Sequence, residues 1–323
     1  MRRLALSTFL VLLVVACSGG EGDAADRTAV SSQAGDETIA TAGVTATSDP
    51  DTAGSSTSVA DTTTTSVSPA PRFAVVVAID GALGWYDGNS WVQAQSSLPI
   101  QGGETFQVFQ IGDQGSETVA VETDSGCELA QPSIGVTFDP DPWAGGLDIF
   151  GPNSMAVSAP WDAEPHGVFP IQASPEYQQI ASSLLADAGV DDPEPRFAQL
   201  LRTDMDGDGV DEVFAVAERR SDPSGALLGA PPGDYSLAFA RIVVGEEVRT
   251  FVLAQWVVPE PDDDAATSEL VIYRFDAFMD ADDDNTDEFG LRTTYYEGSG
   301  VSLYDYRGPD DGFVEVIRAS CGA

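Results

Sequence analysis

Two short stretches concentrate the chemistry of this chain: Asp204-Met205-Asp206-Gly207-Asp208-Gly209-Val210-Asp211-Glu212 and Asp280-Ala281-Asp282-Asp283-Asp284-Asn285-Thr286-Asp287-Glu288. Both place carboxylates at positions 1, 3, 5 and 9. At position 7 each has a residue, Val210 or Thr286, whose backbone carbonyl can turn toward the same point. Such a set surrounds one centre with oxygen alone, the shell of a hard divalent cation, and calcium is the expected ion. Four carboxylates held within a few ångströms cannot all stay ionised without a cation to offset their repulsion. The plainer alternative is an acidic, solvated turn.

The elements that would position these loops read as strands. Stretches rich in β-branched and aromatic residues run over 72–79, 105–111, 117–123, 236–243, 248–258, 270–278, 291–296, 301–306 and 313–318, and 197–203 leads straight into the first loop. One short amphipathic helix is expected. Ser174 is its N-cap and Pro175 its first residue, with Tyr177, Ile180, Ala181, Leu184, Leu185 and Ala188 on one face before Gly189. An EF-hand does not fit, because it needs a helix on each side and a glutamate at position 12, where this chain has Ala215 and Leu291. The expected geometry is strand, loop, strand within a mainly β domain.

The segment from Asp204 to Val213 resembles the calcium loop of integrin-type FG-GAP and bacterial VCBS-like repeats, D-x-D/N-G-D-G-x-x-D/E followed by an apolar strand. The resemblance implies that Asp204, Asp206, Asp208 and Glu212 are side-chain ligands and Val210 a carbonyl ligand. Asp280, Asp282, Asp284, Thr286 and Glu288 take the same roles in the second loop. Gly207 and Gly209 permit the positive φ of so tight a path. The second loop departs from the pattern with Asp283 and with Asn285, which tolerates the left-handed region. The family's fold is a β-propeller, so the expectation is a β-propeller-like or other multi-sheet all-β domain. The two loops lie farther apart along the chain than a usual blade, which requires insertions. An eroded third copy over 112–121 lacks the leading carboxylates and is assigned no metal.

Arg2 and Arg3 precede an apolar run ending in Val14-Val15-Ala16-Cys17, a signal peptide over residues 1–16. A small residue before cysteine resembles the lipobox of bacterial lipoproteins, which implies lipidation of Cys17 and an extracytoplasmic, membrane-anchored protein. Residues 17–71, dominated by Ser, Thr, Ala, Gly and Asp, cannot bury enough surface to fold and read as a disordered tether. The folded domain is then 72–323. Its two cysteines, Cys127 and Cys321, are expected to pair in an oxidising compartment.

The chain carries 53 Asp+Glu against 14 basic residues, all arginine, for a formal net charge of -39. Nucleic acid is excluded as a partner by that field, which favours divalent cations instead. A salt-adapted structural domain would show the same acidity. The aromatics around Trp85, Trp91 and Tyr296 suit either a core or a platform for a protein or glycan ligand. No nucleophile elbow, H-E-x-x-H or phosphate loop is present, and the one histidine, His166, stands in a loop. The chain therefore reads as a non-enzymatic calcium-binding lipoprotein, the alternative being a secreted hydrolase of envelope polysaccharide that works by paired carboxylates.

Overall fold

The computed structural model describes residues 73–112, 115–127, 133–222, 224–260 and 268–322. The signal segment, Cys17 and the tether lie outside the described residues, as do Asp113 and Gln114 of the eroded third loop.

Three antiparallel sheets make up the domain. The first contains β1 (Ala74–Ala78), β2 (Gly81–Tyr86), β3 (Trp91–Gln93), β4 (Thr105–Phe109), β5 (Ser116–Asp124), β6 (Gly135–Asp139) and β7 (Met155–Ser158), in the order β3-β2-β1-β7-β4-β5-β6. The second contains β8 (Phe169–Pro170), β9 (Phe197–Thr203), β10 (Glu212–Arg219), β11 (Tyr235–Val244) and β12 (Glu247–Val257), in the order β12-β11-β10-β9-β8. The third is a plain meander of β13 (Ile272–Met279), β14 (Glu288–Tyr295), β15 (Gly298–Tyr306) and β16 (Phe313–Gly322). The chain is thus mainly β, with one helix, α1 (Pro175–Asp187), among the described residues.

Alternation along the strands decides how the sheets stack. In β10, Val213, Ala215 and Ala217 face one way, and Ala181 and Leu185 of α1 pack on them. Phe214 and Val216 face the other way, against Phe275, Phe278, Phe289 and Leu291 of the third sheet. The opposite face of the third sheet offers Ala277, Met279, Val301, Leu303 and Ile317 to Val76, Leu83, Met155 and Val157 of the first. The third sheet is therefore the middle layer, which explains why its strands are buried on both faces.

Helix α1 begins as its sequence requires, with the Ser174 side chain accepting the Tyr177 amide at 3.4 Å. Of the aromatics that suit a ligand platform, Trp85 packs into the outer core of the first sheet, and Tyr86 and Trp91 pack against the layer between the first and third. Tyr296 remains exposed.

Cys127 and Cys321 form a disulfide with Cα atoms 5.4 Å apart, closing a separation of 194 residues between the first sheet's β5–β6 connection and the end of β16. Chain-entropy reasoning puts the ceiling for so long a loop at about 5 kcal/mol, with about 2–4 kcal/mol usual. Replacing both cysteines by alanine is expected to lower the unfolding free energy by about 2–4 kcal/mol, seen as a lower urea midpoint with a slope that rises, because the unlinked unfolded chain exposes more surface. An unchanged midpoint would mean that the bridge constrains nothing in the unfolded chain.

Candidate metal centre

The two acidic stretches occupy the same place in their sheets. The first joins β9 to β10 and the second joins β13 to β14, each the first turn of a four-strand meander. In both, the strands deliver position 1 at the end of one strand and position 9 at the start of the next. The backbone turns back between them through two left-handed residues: Gly207 (φ 67) and Gly209 (φ 88) in the first loop, Asp283 (φ 64) and Asn285 (φ 68) in the second. The second loop thus follows the same path without glycine, a conformation that costs a residue with a Cβ about 1–2 kcal/mol and that Asn and Asp tolerate best.

The internal hydrogen bonds repeat position by position. Glu212 accepts the Met205 amide at 3.0 Å, and Glu288 accepts the Ala281 amide at 2.8 Å. Asp204 accepts the Gly209 amide as Asp280 accepts that of Asn285. Asp208 accepts the Val210 amide and Asp284 that of Thr286, both at 2.8 Å. This bonding draws Asp204, Asp206 and Glu212 into one triad and Asp280, Asp282 and Glu288 into another, in each of which one oxygen per residue lies within 4.8 Å of the others. Atoms on opposite sides of an ion bound at about 2.4 Å stand that far apart. Asp208 and Asp284 stand outside the triads. With the carbonyls of Val210 and Thr286, they are ligands that the loop pattern implies and the triads do not contain.

The electrostatics of these triads ask for a cation. Burial, then the charges of Asp206, Asp208 and Asp204, push Glu212 up to about 7. Burial, then Asp284, Asp305 and Asp280, push Asp282 up to about 7, and the fully buried Glu288 is raised well above its usual value, first by burial and then by Asp282. Glu288 Oε1 and Asp282 Oδ1 are buried without a hydrogen-bond partner. Buried polar atoms are almost always satisfied, and two orphaned carboxylate oxygens facing a common triad fit a bound ion. The two triads could each hold a metal ion.

Several residues of this centre carried no signal in the loop pattern. Met205 and Ala281, at position 2 of each loop, point into the core and offer their amides to the position-9 glutamates. Their common apolar character was the only available hint. Asp305 comes from β15, is buried, pairs with Arg307 at 2.5 Å and adds negative charge to the second site. His166, which read as a bare loop residue, holds Asp287: its amide donates to Oδ2 at 3.0 Å and its Nδ1 lies 3.1 Å from Oδ1.

The chain matches no family model, no curated protein and no solved structure.

Proposed function

We propose that this chain is a calcium-binding module, held outside the cytoplasm by a lipid on Cys17 and acting as a binding or structural protein rather than as an enzyme. The observation that carries the calcium reading is the pair of oxygen triads at the same loop positions, one of them with buried, unpartnered carboxylate atoms. Hard oxygen donors on a pliable loop suit calcium, which takes six to eight ligands in flexible geometry, better than magnesium, which demands a near-ideal octahedron and keeps its waters. The loop grammar shared with FG-GAP and VCBS-like repeats supports the same ion. Export is supported by the apolar leader ahead of Cys17 and by the Cys127–Cys321 bridge, since such bridges persist outside the reducing cytosol. The tether of residues 17–71 would let the domain stand on the order of 40 Å from the membrane as a flexible coil. The partner is a protein or glycan reached from that position.

Equilibrium dialysis against calcium-45 tests the ion directly. Two calcium ions per chain are expected, with dissociation constants in the range of about 10⁻⁴ to 10⁻³ M usual for extracellular modules. Glu212→Gln and Glu288→Gln should each remove one ion. Binding of no calcium at 10 mM by the folded protein would end this reading.

A further inference from the structure

The two triads are not separate attachments on one domain. The backbone of Met205 stands between them: its N–H donates to Glu212 of the first triad, and its carbonyl accepts the amide of Asp287 at 2.8 Å, the residue directly before Glu288 of the second. The stretch 161–166 then runs beneath both loops. Ala163 O accepts the Asp280 amide at 3.3 Å, His166 O accepts the Thr203 hydroxyl at 2.8 Å, and the His166 amide and ring reach the Asp287 carboxylate. Thr203, Met205 and Asp287 are all buried, so these bonds are shielded from water. The loop tips also touch, because a Cβ on Gly207 would lie 2.6 Å from Asn285 Nδ2 and 3.2 Å from His166 Nε2.

We propose that the Met205 backbone and the Asp287–His166 clamp join the two loops into one binuclear cation unit, in which an ion at either site raises the affinity of the other. This rests on the calcium reading of the loops. Glu212 can close on an ion only with the Met205 amide in place. Ordering the Met205 backbone, whose side chain is buried in the core, also orders the amide of Asp287 and hence the chain position of Glu288. An ion at the first site therefore performs part of the ordering that the second would otherwise require, the physical basis of positive coupling.

Repulsion between the two bound cations acts in the opposite sense. The cross-loop field it would act through is weak at Glu212, where the leading charges all come from the residue's own loop. Asp287 and His166 are positioning residues here, since neither belongs to a triad.

The test uses the intact protein and two single-site variants made at partly exposed ligands, Asp204→Asn with Asp206→Asn, and Asp280→Asn with Asp282→Asn. Both leave the bonds from the Met205 and Ala281 amides to the glutamates in place, and circular dichroism checks that each variant is folded. In calcium titration calorimetry the intact protein is expected to bind two ions with a Hill slope above one. The surviving site of each variant should bind at least about 5-fold more weakly, the lower end of usual coupling factors, and by similar factors in the two directions. Asp287→Ala should keep both ions and lose the steepness, and Asp287→Asn, which still accepts the His166 amide, should restore part of it. Two ions bound independently, with the surviving site unchanged in both variants, would overturn the coupling and leave the calcium reading standing. No binding by the intact protein would overturn both.

Discussion

Stripping calcium is expected to cost the domain about 5 kcal/mol of unfolding free energy, compared with protein held at about a hundred times the dissociation constant of each site. An ion that binds only the folded state adds RT ln(1 + [L]/Kd), about 2.7 kcal/mol per site at that excess. For a domain of this size each kcal/mol moves the melting temperature by about 2–4 °C, so calorimetry should record a fall of about 10–20 °C.

The loss should also depend on pH, with a sign that follows from the triads. Without the ion, Glu212 and Asp282 are pushed up to about 7, so the folded chain holds more protons than the unfolded one between about pH 4 and 7. Their contribution to stability is therefore complete below the unfolded carboxyl value of about 4 and is lost as pH rises through about 7. Calcium replaces those protons, so its stabilising effect should grow from pH 5 to pH 8. A calcium shift that is absent, or that shrinks over this interval, would show that the triads do not hold the ion.

Arg292→Met is expected to destabilise the fold by about 3–5 kcal/mol, the usual consequence of leaving a buried charge without its partner. Arg292 is fully buried at the centre of the middle sheet. It lies 3.4 Å from Asp276, which is also fully buried and accepts the Asn153 amide at 2.9 Å, and it donates to the carbonyl of Gly151. Asp80, from the β1–β2 turn, accepts the Ser299 hydroxyl at 2.5 Å and lies within the field of Arg292. Directly opposite Arg292 on the paired strand, Arg274 pairs with Glu218 of the second sheet at 2.7 Å and donates to Phe150 O. Side chains from all three sheets thus meet in one buried set of opposite charges.

Burial already pushes Asp276 up to about 7 against the pull of Arg292, which shows how poorly the interior tolerates that carboxylate. Removing the guanidinium should drive it fully to the neutral acid. Chemical denaturation of Arg292→Met, and of Arg292→Met with Asp276→Leu, separates the causes. The double variant should recover part of the loss, because an uncompensated charge costs more than an apolar pair. If the single variant lost less than about 1 kcal/mol, the buried pair would not be what secures the three layers.

Much of the candidate centre was legible in the chain because its information is local. Carboxylate spacing, glycines at positions 4 and 6, and strand-like flanks fall within ten residues, and the loops fold as that spacing requires. The second loop keeps the path even where Asp283 and Asn285 replace glycine, since the Asp280 and Asp284 carboxylates accept the amides of Asp284, Asn285 and Thr286 and hold the turn. The long alternating strands and α1 were equally plain, through period-2 patterning and a capped amphipathic stripe. Strands β2, β3 and β6–β8 were not. They are short, β2 carries Gly81 and Gly84, and they are held by pairing rather than by their own propensity: β2 and β3 to the strand just before each, and β7 to β1 and β4 farther back in the chain.

By itself the sequence determined the residue types, the oxygen shell, the β class, the helix and the two cysteines able to pair, because each depends on neighbours along the chain or on composition. Only the tertiary structure decided that the third sheet lies between the other two and that Arg292 and Asp276 meet in its interior. It alone brought Met205 to Asp287, and His166 beneath both loops. Those contacts join residues from 16 to 121 positions apart. They are selected by which buried faces fit together once the sheets pack, and no local pattern encodes that choice.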